Sequence, residues 1–354
     1  AFEIFAYAVS KDDGSHYRKT IERSCEHFTD IHALSDIDAA KRIFADEIDI
    51  LVDVMGYTTE MRMGIVAARP APAIAGFLQF PGTSGADFID YLLTDRIVTT
   101  PADQQHYTER LVFLPNCYQP NDWKQDIDPS PVTRAACGLP DDAFVFCCFN
   151  NSYKIEPVIF DLWMRLLHRV PNSVLWLLRV NPQMEANLKR EAEARGIPAS
   201  RLVFAAKTSK ARHLARQRLG DLFLDTRCYT AHTTASDALW GGLPVMTCPG
   251  DTFASRVSAS ILRAAGLPEL IVPDFDAYER QAVHFASHPE ELEAIRGKWA
   301  AQRTSCALFD TRRFVRNLER AYRAIWDDYR AGVPPRQLFV TEETAALGQP
   351  PSQQ

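Results

Sequence analysis

The stretch LFLDTRCYTAHTTASDALWGGLPVMTCPG, residues 222–250, runs from an apolar strand through the short connection RCYTA into a helix that starts near His232. In a parallel α/β unit this places the helix start at the carboxyl edge of the sheet. A helix N-terminus offers unpaired amides and the positive end of the macrodipole. Here it begins with His232, Thr233 and Thr234, and the threonine hydroxyls can turn toward phosphate oxygens. The same residues admit a plainer reading. Thr234 to Asp237 fits the spacing Ser/Thr-x-x-Asp/Glu, close to a capping box that satisfies those amides within the chain. The local pattern leaves both open.

Outward from this stretch the chain alternates strand and helix. IDILVDV (48–54), AFVFCCF (143–149), SVLWLLRV (173–180), RLVFAA (201–206), DLFLDT (221–226) and LPVMTC (243–248) are short apolar runs rich in branched and aromatic residues. Helical patterns of about ten to fifteen residues separate them, as βαβ units on parallel sheets require. The proline-rich segment between Pro115 and Pro140 reads as a linker, dividing the chain into a first domain over 1–130 and a second over 131–332. TRRFVRNLERAYRAIWDDYRAG (311–332) reads as a long closing helix of the second domain, stopped at Gly332. Residues 333–354 form a polar tail, expected to be disordered, with TEETAALGQPPSQQ beyond Val340. Two such domains would face a cleft. Neither a GxGxxG fingerprint nor a GxxxxGK[S/T] loop occurs in either, so a phosphate bound there needs another holder.

Composition excludes several classes. The 354 residues are 46% hydrophobic and 24% charged, ordinary for a globular chain long enough for two cores. A net charge of −6 argues against general affinity for nucleic acid or acidic membranes. No apolar run reaches the roughly eighteen residues of a membrane span, and the N-terminal AFEIFAYAVS alternates as a strand rather than as a signal peptide. Cys25, Cys117, Cys137, Cys147, Cys148, Cys228, Cys248 and Cys306 show no CxxC pair or zinc spacing. Reduced thiols and a cytoplasmic location are expected.

Two further strand ends deliver cations. FNNSYKIEP (149–157) places Lys154 between a strand and a helix, where the macrodipole disfavours a lysine without a task. KTSKARHLARQRLGD (207–221) supplies Lys210, His213 and Arg216, the last two on one helical face. Each alone could be a solvated surface group. Three strand ends carrying Lys, His/Arg and His-Thr-Thr to one edge are much less expected by chance.

These residues carry a resemblance. FPGTSG, RPAP, SPVTRAACGLP, NNSYKIEPVIFDLWMRLLHRVPNSVLWLLR and AHTTASDALWGGLPVMTCPGDTFASRVSAS are similar to the catalytic region of the O-linked N-acetylglucosamine transferases and their SPINDLY-type relatives, from about Phe2 to about Gly332. The resemblance implies an α/β GT-B glycosyltransferase, with two Rossmann-like domains facing a cleft and the first N-terminally incomplete. It implies inverting, metal-independent transfer of N-acetylglucosamine from UDP-GlcNAc to Ser or Thr of intracellular proteins, with no cofactor. By position, it implies that Lys154 neutralises the diphosphate with Asn151 nearby, that His232, Thr233 and Thr234 hold the phosphates, and that Asp237 takes the ribose hydroxyls. Thr208, Lys210, His213 and Arg216 would form the nucleoside pocket, His213 stacking on the base. Gln79, Pro81, Gly82 and Thr83 would face the sugar from the first domain, Gln79 standing where animal enzymes commonly have glycine. In such enzymes a strand, a loop with an aspartate and histidines, and a tetratricopeptide array that guides protein substrates come before the point where this chain opens. A GDP-fucose-using SPINDLY-type O-fucosyltransferase, a nucleotide-sugar epimerase and a non-catalytic nucleotide-sugar-binding module are the alternatives.

Overall fold

The computed structural model describes residues 2–342 and divides the chain into two compact units. The first consists of Ala1–Thr94, Thr100–Tyr118 and the chain from Asn317 onward; the second of Asp95–Thr99 and Gln119–Arg316.

The first unit contains β1 (Phe5–Ala8), α1 (His16–Ser24), β2 (His27–Asp30), α2 (Asp36–Ala45), β3 (Ile50–Asp53), α3 (Met63–Ala67), β4 (Ala73–Gly76), β5 (Tyr91–Asp95) and β6 (Arg110–Leu114). β1 and β2 form a parallel pair. α2 shows how the sequence builds its element: Ser35 caps the Asp38 amide, and Ala39, Ala40 and Ile43 bury one face against Ile31 and Ile65.

The second unit continues with β7 (Phe144–Cys148), α4 (Pro157–Arg169), β8 (Ser173–Leu178), α5 (Pro182–Glu193), β9 (Leu202–Ala205), α6 (Lys210–Arg216), β10 (Leu222–Leu224), α7 (Thr233–Trp240), β11 (Val245–Met246), α8 (Phe253–Ala265), α9 (Phe275–Ser287) and α10 (Pro289–Gln302). α11 (Thr311–Arg330) passes from the second unit to the first, where β12 (Leu338–Phe339) completes a sheet of order β12-β6-β5-β4-β3.

The second unit's sheet has the order β11-β10-β7-β8-β9, every pair parallel. Its strands are apolar throughout because helices cover both faces; Phe146, Cys147, Trp176 and Phe223 are fully buried. The chain runs outward from β7 to β9, then returns to lay β10 and β11 on the other side of β7. The order therefore reverses between β7 and β10. Open α/β sheets bind ligands at the carboxyl ends of the strands flanking such a point.

Three boundaries differ from the sequence expectation. Residues 119–130 belong to the second unit, not to a linker. Their polar groups dock on its helices: Gln119 Nε2 donates to Ser236 Oγ (3.1 Å), Asn121 Nδ2 to the Leu308 carbonyl (3.4 Å), and the Gln125 carbonyl accepts from Trp240 Nε1 (3.0 Å). α11 clusters with the first unit from Asn317 instead of closing the second. The expected tail at 333–354 contains β12, which pairs in parallel with β6 and stacks Phe339 on Phe113 at 4.9 Å. From residue 343 the tail lies outside the described residues. Among those described, no helix is long and apolar enough to cross a membrane.

Candidate functional site

Asp225 closes β10 at the point of reversal, only 1% exposed. Its Oδ1 accepts from the amides of Thr226 (2.8 Å) and Ala231 (2.7 Å) and from Asn150 Nδ2 (3.2 Å), while Oδ2 accepts from Thr247 Oγ1 (2.7 Å). Burial raises its carboxyl pKa, and the hydroxyls of Ser258 and Thr247 with the amides of Ala231 and Thr226 oppose the rise. The loop Thr226–Ala231 is thereby closed around one carboxylate oxygen.

Lys154 reaches this loop from β7. It ends a single 3-10 turn, Ser152–Lys154, and α4 starts afterwards under the cap of Glu156, so the lysine does not sit on a helix dipole as its sequence position suggested. Its Nζ donates to the Thr230 carbonyl (2.9 Å) and stands 3.9 Å from the centre of the Tyr229 ring. Burial pushes the ammonium pKa down to about 8, with Asp225 and Cys148 pulling the other way.

α7 follows. Glu156, Asn181, Ser209, Thr252 and Asp274 cap α4, α5, α6, α8 and α9 with their side chains, but no side chain caps α7. Its N-cap residue is His232, with Thr233 exposed and Thr234 half-exposed behind it. The capping-box reading of Thr234 and Asp237 is thus corrected: Asp237 lies one turn inside, buried, and its Oδ1 accepts from Lys210 Nζ. Burial raises the Asp237 carboxyl pKa and Lys210 lowers it. Burial, together with the Lys154 charge, pushes His232 down to about 3, so the ring is neutral at neutral pH. Its Nε2 faces the Ala254 carbonyl (3.3 Å), which can only accept; Nε2 therefore carries the proton and Nδ1 is a bare acceptor.

His213 and Arg216 of α6 are not a wet face. Arg216 is 7% exposed, donates to the Ala206 carbonyl (2.7 Å) and directs Nε (3.1 Å) and Nη2 (2.7 Å) at His213 Nδ1. His213, pushed down to about 4 by burial and then by Arg216 and Lys210, is neutral, with Gln217 3.0 Å from its Nε2. With both ring nitrogens engaged, His213 can offer a ligand only its ring face. α6 and α7 approach closely at Gly241, where a Cβ would stand 2.5 Å from Gln217 Cβ and 2.6 Å from the Leu214 carbonyl oxygen. Thr208 is exposed on the loop before α6; Asn151 is exposed and accepts the Lys154 amide through its carbonyl (3.0 Å).

The remaining expected residues lie in the first unit. Gln79 Oε1 accepts from Thr58 Oγ1 (3.1 Å), and Pro81 and Gly82 are part-buried. Thr83 Oγ1 donates to Glu109 Oε2 (2.6 Å), and the Ser84 amide (2.6 Å) and hydroxyl donate to Oε1. The Thr83 hydroxyl is thus engaged inside its own unit.

Asp225, Asn150 and Glu109 escaped the sequence reading. A signal for Asp225 existed: a carboxylate directly after the unbroken apolar run LFL is costly unless several donors meet it.

Known proteins match this chain along its length. The family described as Glycosyl transferase family 41 matches residues 1–130 and 125–318. A probable UDP-N-acetylglucosamine–peptide N-acetylglucosaminyltransferase, SEC, of Arabidopsis thaliana is 42% identical over 347 residues, covering 96% of this chain and 35% of the plant protein. The UDP-N-acetylglucosamine–peptide N-acetylglucosaminyltransferase of Caenorhabditis elegans is 29% identical over 454 residues, 97% of this chain and 39% of the worm protein. The chain thus spans well under half the length of either relative. The solved structure of a mutant O-GlcNAc transferase from Thermobaculum terrenum matches with a TM-score of 0.84 at 29% identity, over 93% of this chain and 62% of that one.

Proposed function

The chain belongs to glycosyl transferase family 41, and from that membership we propose that it transfers N-acetylglucosamine from UDP-N-acetylglucosamine to Ser or Thr hydroxyls of cytoplasmic protein acceptors, with inversion and without a metal ion. One observation carries the reading: at the point where the strand order reverses, the Lys154 ammonium and the uncapped start of α7 belong to neighbouring loops tied to one carboxylate. Cleavage of the anomeric bond leaves its electron pair on the nucleoside diphosphate as the acceptor hydroxyl attacks from the opposite face and releases its proton to solvent. Fixed donors and a cation aimed at that growing charge lower the barrier. Lys154 supplies the cation; the amides and hydroxyls of Thr233 and Thr234 supply the donors. His213, able to present only its face, suits a stacked base, and the Asp237–Lys210 pair suits the ribose hydroxyls.

Calorimetric titration with UDP, UDP-N-acetylglucosamine and GDP-fucose, followed by transfer to a Ser/Thr peptide with and without EDTA, tests this. UDP and its sugar should bind, transfer should occur, and EDTA should leave the rate unchanged. Binding of GDP-fucose in preference to UDP-N-acetylglucosamine overturns the donor, and a strict divalent-ion requirement overturns the mechanism.

A further inference from the structure

Lys154 and α7 approach from opposite sides of the reversal point, and one buried side chain touches both approaches. Asp225 Oδ1 takes the first and last amides of the loop Thr226–Ala231. Asn150, four residues before Lys154, reaches Asp225 Oδ1 (3.2 Å) and Thr226 Oγ1 (2.8 Å) with the same Nδ2. Thr226 Oγ1 in turn donates to the Tyr229 carbonyl (2.7 Å), Thr247 secures Oδ2 from the end of β11, and the Tyr278 hydroxyl donates to the Asp225 carbonyl (3.0 Å). At 1% exposure Asp225 touches no ligand itself.

We propose that Asp225 is a positioning residue: it fixes the loop Thr226–Ala231 against the loop after β7, so that the Thr230 carbonyl receives Lys154 and α7 begins where its amides face the same point. This deepens the donor-site reading and rests on it for the identity of the ligand. Its charge takes part as well as its shape. The groups that face Lys154 are Asp225 and Cys148 from the strand ends, the Tyr229 ring from the loop, and neutral His232 from the start of α7. Of these, Asp225 is the fixed negative charge that holds the proton on Lys154 against burial.

Competitive acylation of Lys154 in the intact chain by dilute acetic anhydride, from about pH 6 to 11 and read by mass spectrometry, follows this proton without nucleotide or activity. The midpoint for the parent should lie near 8. Asp225→Asn keeps an acceptor for the Thr226 and Ala231 amides and loses the charge, so the midpoint should fall by about one unit. In the same variant UDP should bind at least about tenfold more weakly. A folded Asp225→Asn chain whose midpoint is unmoved overturns the proposal. If that variant does not fold, Asn150→Ala decides. It keeps the charge and cuts the link between the loops, so that water reaches Lys154 and the midpoint should rise by about half a unit or more; an unmoved midpoint is again fatal. Should the parent bind no UDP while the midpoints move as stated, the donor reading fails and the positioning role of Asp225 stands.

Discussion

Two carboxylates, each 1% exposed, fasten a loop that follows a strand: Asp225 in the second unit holds Thr226–Ala231, and Glu109 in the first holds the loop with Thr83 and Ser84. The donors to Asp225 come from four separate stretches of chain, Asn150, Thr226–Ala231, Thr247 and Ser258, and a lysine stands beside it. Those to Glu109 come from Thr83, Ser84 and the neighbouring Thr108, all neutral. The same device therefore does two things. Around Asp225 it gathers loops and stabilises a cation; around Glu109 it fixes only the shape of one loop. The nucleotide should then sense the first carboxylate and not the second.

The comparison breaks most visibly at Lys154. Lys154→Met should lower the transfer rate by a hundredfold or more, about 3 kcal/mol of barrier, at nearly unchanged melting temperature. A rate within about threefold of the parent makes the lysine a bystander. Replacing Thr233 and Thr234 together by valine should weaken UDP binding by about 1 to 3 kcal/mol, as for hydrogen bonds to a charged group. Because neither threonine caps α7, calorimetric melting should move far less than the roughly 1 kcal/mol of a lost cap. A large melting loss with unchanged affinity returns α7 to a structural role.

The pH response separates function from stability. Lys154 is lowered from 10.5 to about 8 in the folded chain, so between these values the unfolded chain binds more protons and stability rises with pH. The transfer rate should do the opposite, falling about tenfold per unit above pH 8 as the ammonium is lost. Lys154→Met should abolish the stability rise; its persistence would assign it to another group. The smallest effect on the nucleotide belongs to Glu109→Gln. Melting should fall, by about 1 to 3 kcal/mol of stability, because buried donors lose a charged acceptor. UDP affinity should stay within about twofold. Loss of UDP binding with melting intact would erase the distinction between the two carboxylates.

What the sequence revealed follows from the range of the interactions involved. β7 to β11 were legible because a strand covered on both faces must be apolar along its length, as FVFCC and SVLWLL are. Lys154, Lys210, His213, Arg216 and His232 were legible as chemical types at strand ends. Their pairings were not. Lys210 with Asp237 and Asn150 with Asp225 join residues 27 and 75 positions apart, and only the fold brings them together. The capping box failed because the helix began two residues earlier than its spacing assumed, at Thr233 instead of Ala235. β12 is two residues long and pairs with a strand more than two hundred positions away, so no local pattern announces it.

That last pairing bears on how the chain is made. The first unit is discontinuous: after Tyr118 it waits for Asn317 and the strand at Leu338–Phe339. A ribosome adding roughly 5 to 20 residues per second needs on the order of 10 to 40 s to supply the intervening chain. The later-encoded unit has its whole chain at Arg316, 22 residues before Leu338, while the earlier one still exposes the edge of β6. Vectorial synthesis therefore completes the units in the reverse of their order in the gene, and the nascent β6 edge is the surface a chaperone would meet.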